Sequence, residues 1–193
     1  MIPDDLARAF LTAHALLVLG IRLLFLRRMA RRPSTAGADD ARPDRLVPLG
    51  SVLALLGLIA WLALPSGTVP GAWMRLPQIF GLGTALLVGH VVLLVASQRA
   101  LDASWSGDMR LRPDHALITH GIYARSRHPM YLGVLFWCAG TIAVGSHALL
   151  LAYLPLALGV IRRAPIEETL LEARHGDAWS AYATKTNRWW RTR

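Results

Sequence analysis

The stretch RHPMYLGVLFWCAGTIAV, residues 127–144, decides the fold because it joins a polar loop directly to an apolar segment. Pro129 suits the first turn of a helix, where a backbone N–H has no helical partner. Only Gly145 and Ser146 separate this segment from a second apolar run, residues 147–161. Two helices joined by so short a turn lie antiparallel, so the sequence predicts a tight helical hairpin. A fully crossing hairpin and a partly re-entrant one both fit these lengths.

Three longer apolar segments precede the hairpin, at residues 6–26, 46–64 and 76–97. Each is close to the roughly 20 residues that a helix needs to cross a bilayer. Apolar residues make up 54% of the chain and charged residues only 17%, which is unusual for a soluble domain. The pattern therefore predicts an all-α fold, a polytopic membrane bundle of about five transmembrane helices.

Positive charge lies at the ends of the apolar segments and gives the chain a formal net charge of +9. Arginines cluster in the first connection, the third connection and the C-terminal region, whereas the second connection carries only Arg75. Because cytoplasmic loops are enriched in arginine and lysine, these three regions are predicted to be cytoplasmic and the N-terminus outside. The same charges indicate contacts with anionic membrane lipids rather than nucleic acid. The arginine-rich, lysine-poor composition favours a bacterial cell membrane.

Two parts are predicted along the chain. Residues 1–98 hold the first three transmembrane helices, and residues 99–193 hold a cytoplasmic loop, the hairpin and a C-terminal helix. Pro165 is predicted to begin that last helix, an amphipathic cytoplasmic segment over residues 166–183. In the third apolar segment a small residue recurs every fourth position, which is typical of a close helix-packing face. These small residues are Gly81, Ala85 and Gly89.

Three residues inside the apolar segments bear on metal binding. His14 and His90 are predicted to face the bundle interior, as polar groups within membrane spans usually do. A two-histidine metal or haem site is the alternative interpretation. Cys138 is the only cysteine, so an intrachain disulfide or a cysteine-rich metal site is excluded, and no metal site is predicted.

Polar residues concentrate in two stretches, the first at residues 115–133 and the second at residues 162–182. In the first, His128 and Tyr131 flank the predicted start of a helix, whose positive end suits a polar ligand at the lipid boundary. The alternative is structural: Arg127 extends to the interface, His128 caps the helix and Tyr131 belongs to an aromatic belt.

The second stretch brings two arginines close to two glutamates. Carboxylates bind ammonium groups, and a guanidinium binds a carboxylate through two hydrogen bonds. A purely structural explanation also exists, because carboxylates are favoured at any helix start and arginines anchor any helix end. The residues concerned are Arg162, Arg163, Glu167 and Glu168.

Together the two stretches resemble the signature of the isoprenylcysteine carboxyl methyltransferases, a group that extends to phospholipid N-methyltransferases. Arg-His-Pro-x-Tyr-x-Gly at residues 127–133 and His-x-Leu-Ile-Thr-x-Gly-x-Tyr at residues 115–123 resemble the cofactor motif. Arg163-x-x-x-Glu167-Glu168, followed by Gly176 and Tyr182, resembles its second half. The resemblance covers about residues 102–190.

The resemblance implies S-adenosylmethionine as cofactor and a lipophilic acceptor, such as the carboxylate of an isoprenoid or lipid-like molecule. Arg163 would hold the acceptor carboxylate, while Glu168, or alternatively His128, would act as the base for an amine acceptor. The cofactor-binding residues that the resemblance implies are His115, Ala116, Leu117 and Ile118 for the adenosine, Tyr123, His128, Pro129, Met130 and Tyr131 for the remainder, and Glu167 for a polar group.

Two other functions stay open at this point. Membrane reductases that use NADPH have a related architecture, although this chain is short for one. A non-catalytic membrane scaffold or sensor would keep the same fold. The methyl acceptor, the choice among O-, N- and S-methylation, and the oligomeric state are left open by the sequence.

Overall fold

A computed structural model describes residues 2–30, 45–65, 68, 76–101 and 117–190 of the chain. The described residues form six α-helices and two short 3-10 helices, and no strand occurs among them. The α-helices are α1 (Asp4–Ala30), α2 (Leu46–Ala63), α3 (Pro77–Leu101), α4 (Pro129–Val144), α5 (Leu150–His175) and α6 (Asp177–Lys185), and the 3-10 helices are Gly121–Ala124 and His147–Leu149. The prediction of an all-α fold is confirmed.

Four helical stretches are long and apolar enough to cross a membrane: α1, α2, α3 and residues His147–His175, which include α5. The remaining apolar helix, α4, has 16 residues, or about 24 Å at 1.5 Å per residue. Large apolar side chains cover the outside of the bundle, with Leu151 82% and Leu16 64% exposed. Such a surface belongs in lipid. The chain is therefore an integral membrane protein, and the predicted bundle of about five helices is confirmed.

Helices α4 and α5 form the hairpin that the short connection predicts. After Val144, only Gly145 and Ser146 precede the 3-10 helix His147–Leu149, and α5 follows at once. The Ser146 hydroxyl accepts a hydrogen bond from the Ala148 N–H, which caps this turn.

Small residues allow α3 to lie against α4 and α2 against α5. A Cβ on Gly140 of α4 would lie only 2.9 Å from the Gly83 carbonyl of α3, and one on Gly50 of α2 would lie 2.6 Å from the Leu156 backbone of α5. Helices from both sides of residue 98 therefore share one bundle. The division into residues 1–98 and 99–193 stays a prediction.

The packing face predicted for α3 was wrong at Gly81 and Ala85 but right at Gly89, on which a Cβ would lie 2.9 Å from the Phe136 ring of α4. Gly81 and Ala85 are exposed, and a Cβ on Gly81 would meet nothing within 4 Å. The buried face includes Gly83, Leu87 and His90 instead. A four-residue repeat of small residues does not distinguish a helix-facing side from a lipid-facing one, because lipid also accepts glycine and alanine.

Pro165 does not begin a helix, so the prediction of a separate helix over residues 166–183 was wrong in its start. Helix α5 continues through Pro155 and Pro165 as far as His175. A proline inside a helix removes one backbone hydrogen bond, but packing against neighbouring helices compensates for that loss. Ala164, next to Pro165, is completely buried and supplies such packing.

The separate C-terminal helix is α6, which begins after Gly176. Gly176 has φ of +51°, a conformation that only glycine adopts readily, and it ends α5 at this point. Trp179 and Tyr182 of α6 are buried against the preceding elements. Helix α6 therefore packs against the rest of the described structure.

Candidate functional site

The candidate site lies where the first turn of α4 meets the polar end of α5. The Tyr131 hydroxyl of α4 donates a hydrogen bond of 2.6 Å to Glu167 Oε2 of α5. One residue further along α5, Glu168 Oε1 lies 3.1 Å from His128 Nε2, immediately before α4. The histidine–proline–tyrosine turn and the paired glutamates are thus in direct contact. Sequence analysis placed these residues in one site, and the structure brings them together.

Glu168 is surrounded by cationic partners. Arg188 donates to both carboxylate oxygens, from Nε at 2.9 Å and from a terminal nitrogen at 2.7 Å, which is the two-point geometry of a guanidinium on a carboxylate. A terminal nitrogen of Arg127 lies 3.5 Å from Glu168 Oε2. Glu168 lies on the part of α5 that follows its apolar segment, which ends at Ile161.

The charge of Glu168 follows from these contacts. Burial alone would raise the pKa of its carboxyl group, but the hydrogen bonds from His128 and Arg188 and the charge of Arg127 outweigh burial and lower the pKa to about 2. The hydrogen bond to Glu168 in turn raises the pKa of Arg188. Glu168 is therefore an ionised residue that holds its neighbours in place.

Backbone hydrogen bonds fix the C-terminal tail beside the site. The Arg127 N–H donates to the Asn187 carbonyl at 3.0 Å, and the His128 N–H donates to the Arg188 carbonyl at 3.2 Å. Ser126, which is fully buried, donates from its hydroxyl to the same Arg188 carbonyl at 3.2 Å. The loop before α4 and the tail after α6 therefore position His128 and Arg188 together.

Tyr182 of α6 connects the 3-10 helix Gly121–Ala124 to the same loop. Its hydroxyl donates to the Tyr123 carbonyl at 2.7 Å and lies 3.5 Å from the Ser126 carbonyl. Burial raises the pKa of Tyr182 to about 12, although the charge of Arg127 opposes this shift. Burial and the nearby Glu167 also raise the pKa of Tyr123. Both phenols are protonated at neutral pH and are therefore hydrogen-bond donors.

Three aromatic rings pack together next to the paired glutamates. The His128 and Tyr131 rings are stacked, with centroids 5.2 Å apart and planes 3° from parallel, and the Trp189 ring lies 6.4 Å from the His128 ring. The Arg163 guanidinium lies 6.0 Å from the Tyr131 ring centroid. Arg163 and Glu167 are four residues apart on one continuous helix, so both side chains lie on the same face.

The other predicted site residues take positions around this contact. Pro129 is buried as the first residue of α4, and Met130 beside it is half-buried. Leu117 and Ile118 are half-buried and precede the 3-10 helix. His115 and Ala116 lie outside the described residues. The assignment of all these residues to cofactor or acceptor remains a prediction.

The sequence did not predict that two arginines of the site, Arg127 and Arg188, contact Glu168. Arg188 was interpreted as one of several topology-setting arginines in the tail, and Arg127 as an interfacial side chain. Nothing in their local sequence separates them from the neighbouring arginines, because their partner is 20 or more residues away. The nearest signal was the adjacent tryptophan pair Trp189–Trp190, which suggests a fixed tail.

His14 and His90 are both buried, so the prediction that they face the bundle interior is confirmed. His90 Nδ1 lies 3.4 Å from His14 Nε2, and the Trp137 ring stacks on His90 with centroids 5.8 Å apart. Within the described ranges, no group of three or more His, Cys, Asp or Glu residues is placed to hold a metal ion.

The fold and the site define an integral membrane protein with a polar, arginine-rich and carboxylate-rich centre at one end of an apolar bundle. The chain belongs to the phospholipid methyltransferase family, because the sequence model of that family matches residues 78–178, more than half of the chain. The matched region includes the contact of Tyr131 with Glu167 and that of His128 with Glu168.

Individual relatives agree with this assignment. A probable protein-S-isoprenylcysteine O-methyltransferase from Oryza sativa subsp. indica is 37% identical over 106 residues, or 53% of this chain and 55% of that protein. A protein-S-isoprenylcysteine O-methyltransferase from Schizosaccharomyces pombe is 39% identical over 74 residues, or 37% of this chain and 31% of that protein. The chain thus spans about half, or less, of the length of these curated relatives.

A solved structure shows the same fold. The eukaryotic intramembrane Ras methyltransferase, an isoprenylcysteine carboxyl methyltransferase, superposes with a TM-score of 0.53 at 20% sequence identity. The superposition covers 73% of this chain and 51% of that protein. The predicted resemblance to this family is confirmed.

Proposed function

We propose that this protein is an integral membrane methyltransferase that transfers a methyl group from S-adenosylmethionine to the carboxylate of a lipophilic acceptor. The contact between Tyr131 and Glu167, directly beside the His128–Glu168 contact, carries the proposal. It places a carboxylate, a phenol and a guanidinium at the boundary between the polar end and the apolar bundle. Membership of the family and the names of the relatives support the reaction class.

The donor set fits the amino-acid part of S-adenosylmethionine, which carries an ammonium and a carboxylate. Glu167, held by the Tyr131 hydroxyl, would bind the ammonium. Leu117 and Ile118 would line the nucleoside, with His115 and Ala116 as the other residues proposed for that role. Tyr123, His128, Pro129 and Met130 would enclose the remainder of the cofactor together with Tyr131. The bound cofactor supplies a methyl group on a sulfonium, which is ready for in-line displacement.

Arg163 would orient the acceptor. Its guanidinium lies one helical turn from Glu167 and beside the Tyr131 ring, so a carboxylate bound there would face the proposed cofactor site. Fixing two reactants in line supplies on the order of 7–11 kcal/mol of the barrier reduction for such a transfer. With both reactants bound beside these aromatic rings, fewer water molecules would remain to stabilise the separated charges.

Glu168 would act as a positioning residue in this mechanism. A carboxylate acceptor is ionised at neutral pH and needs no general base, and a carboxyl group with a pKa of about 2 is a weak base. By binding Arg188, Arg127 and His128, Glu168 fixes the loop before α4 to the C-terminal tail. Only an amine acceptor would require Glu168 or His128 to accept a proton.

The charge pattern supports a cytoplasmic position for the site. The arginines at the site end of α5 and in the tail are typical of a cytoplasmic face, which is where a water-soluble cofactor is available. We propose that the lipophilic acceptor reaches Arg163 laterally from the bilayer, and that the protein resides in a bacterial cell membrane.

Methyl transfer from labelled cofactor tests the proposal. Membranes with and without the protein are incubated with methyl-labelled S-adenosylmethionine, and the lipid fraction that gains label is identified. A protein-dependent, base-labile methyl ester is the expected product, and an Arg163→Met variant should lose it. Purified, folded protein that binds NADPH but not S-adenosylhomocysteine in calorimetry would favour the reductase alternative instead.

A further inference from the structure

Ser126 immediately precedes the motif at residues 127–133 and belongs to neither of the two sequence motifs. Its side chain is fully buried. The hydroxyl oxygen accepts a hydrogen bond from the His128 N–H at 3.1 Å, and the hydroxyl donates one to the Arg188 carbonyl at 3.2 Å. A hydroxyl can donate and accept at the same time, and both capacities are used here. Ser126 therefore bridges the residue before α4 and the C-terminal tail.

The backbone of Ser126 is itself fixed by two other elements. Its N–H donates to the Ile122 carbonyl in the 3-10 helix Gly121–Ala124 at 3.2 Å. Its carbonyl lies 3.5 Å from the Tyr182 hydroxyl of α6. The position of the Ser126 hydroxyl is therefore set by the 3-10 helix and α6, independently of the two groups that it bridges.

Arg188 of the tail holds His128 by two routes. Its carbonyl accepts the His128 N–H at 3.2 Å, which fixes the backbone. Its guanidinium binds Glu168, whose Oε1 lies 3.1 Å from His128 Nε2, which fixes the ring. Ser126 contributes only to the backbone route, because its hydroxyl contacts the His128 N–H and the Arg188 carbonyl. The two routes can therefore be weakened separately.

We infer that Ser126 is a positioning residue of the cofactor site and acts through His128. The inference rests on the proposed function, in which His128 encloses part of the cofactor. Without the hydroxyl, the His128 N–H would keep only its 3.2 Å bond to the Arg188 carbonyl, which is at the long end of the range for such bonds. The His128 ring, which stacks on Tyr131, would then be held less precisely.

Calorimetry with S-adenosylhomocysteine tests this role in the full chain in detergent. A Ser126→Ala variant should bind the ligand about 3- to 10-fold more weakly than the wild-type protein, which corresponds to the loss of one buried hydrogen bond. The weaker binding is expected because His128 is less firmly placed, although Ser126 itself does not contact the ligand.

Ser146 provides a matched control at the other end of α4. It is also buried, and its hydroxyl likewise accepts the N–H of the residue two positions later, Ala148, at 3.2 Å. Ser146→Ala should lower the melting temperature by an amount similar to Ser126→Ala, because both lose the same type of bond. Its affinity for S-adenosylhomocysteine should stay within about 2-fold of the wild-type value, because the two sites do not share partners.

Hydrogen exchange measures the bridge directly. The N–H groups of Arg127 and His128 donate to the Asn187 and Arg188 carbonyls of the tail, so their exchange reports whether the tail is held. Exchange in a peptide that contains both amides should be faster in Ser126→Ala than in the wild-type protein and unchanged in Ser146→Ala. Ser126→Cys, whose thiol is only a weak donor and acceptor, replaces Ser126→Ala if the latter does not fold.

Three results would overturn the inference while leaving the proposed function intact. The first is wild-type affinity in Ser126→Ala. The second is an equal loss of affinity in Ser126→Ala and Ser146→Ala, which would reflect stability alone. The third is unchanged exchange of the Arg127 and His128 amides in Ser126→Ala. Failure of the wild-type protein to bind S-adenosylhomocysteine would instead reject the proposed function, and this inference with it.

Discussion

Two adjacent glutamates at the end of α5 have different surroundings, and this difference separates their roles. Glu167 accepts a hydrogen bond from the Tyr131 phenol, whereas Glu168 is bound by Arg188, Arg127 and His128. The charge of Glu168 is already compensated within the protein. Glu167 accepts its hydrogen bond from a neutral phenol, and we propose that its carboxylate binds the ammonium group of the cofactor. The two residues can therefore be tested separately.

Replacing Glu167 with Gln should weaken ligand binding more than it weakens the fold. The substitution keeps the size of the side chain and an oxygen for the Tyr131 hydroxyl but removes the charge that would bind an ammonium group. Affinity for S-adenosylhomocysteine should fall by about 10- to 100-fold, consistent with the loss of a charge-assisted hydrogen bond. Calorimetry measures the affinity, and the melting temperature in detergent should stay within a few degrees. An unchanged affinity would remove Glu167 from the cofactor site.

Replacing Glu168 with Gln should lower the stability of the fold more than the affinity for the ligand, because it breaks contacts within the protein. The loss of the carboxylate charge that Arg188 and Arg127 face should lower stability by on the order of 2 kcal/mol at neutral pH. Thermal unfolding in detergent, compared with the Glu167→Gln protein as the matched control, measures this difference. A Glu168→Gln protein as stable as the wild type would show that the tail is held by its other contacts.

The difference in stability between the wild-type and Glu168→Gln proteins should shrink at low pH, because it depends on the ionised Glu168 carboxylate. The pKa of Glu168 falls from its ordinary value of 4.5 to about 2 in the folded protein, so the ionised form stabilises the fold. This contribution is fully present above about pH 5 and is lost as the pH falls from about 4.5 to 2. The melting temperatures of wild-type and Glu168→Gln proteins should therefore converge over that range. A gap that stays constant down to pH 3 would contradict the assignment.

At the scale of the elements, the sequence indicated where helices lie more reliably than which face they bury. The α4 bounds were predicted to the residue, because polar or turn-forming residues flank both ends of the apolar run. The predicted start of the C-terminal helix was wrong, because Pro165 was interpreted as a helix start although α5 continues through it. The packing face of α3 was also wrong at Gly81 and Ala85, because lipid and a neighbouring helix favour the same small residues.

A pair of glycines in α3 tests the packing face directly. A Cβ on Gly83 would lie 2.9 Å from the Ala143 Cβ and 3.1 Å from the Gly140 carbonyl, whereas one on Gly81 would meet nothing within 4 Å. Gly83→Val should therefore destabilise the bundle by about 1–3 kcal/mol, the usual range for overpacking, and lower the melting temperature in detergent. Gly81→Val, two residues away on the same helix, is the control and should be close to neutral. Equal effects would mean that α3 and α4 pack differently.

For the whole molecule, the sequence predicted the bundle and the core of the site but not the contacts that complete the site. Tyr131, His128 and the paired glutamates were recognised because they stand in two short motifs at the ends of apolar segments. Arg188 was missed because it is 20 residues from Glu168 and resembles every other arginine of the tail.

The arrangement of the hairpin makes a prediction about the topology of the whole chain. A Cβ on Gly145, in the turn between α4 and α5, would lie 3.2 Å from Leu11, near the start of α1, so this turn and the N-terminus are at the same end of the bundle. The contacts of Tyr131 with Glu167 and of His128 with Glu168 are at the opposite end, near α6. Ala148 and Thr184 are exposed residues at these two ends.

Single cysteines at Ala148 and Thr184, in a protein whose Cys138 is replaced by Ser, allow the two ends to be labelled separately. A membrane-impermeant maleimide added to sealed vesicles of known orientation should modify Ala148→Cys from the face that also exposes Asp5→Cys. It should modify Thr184→Cys only from the opposite face, which the arginine distribution predicts to be cytoplasmic. Modification of Ala148→Cys and Thr184→Cys from one face would mean that the hairpin returns without reaching the other side. The site would keep its internal contacts in that case, but α4 and α5 would enter the bilayer as a re-entrant pair, and the number of crossings would be three instead of five.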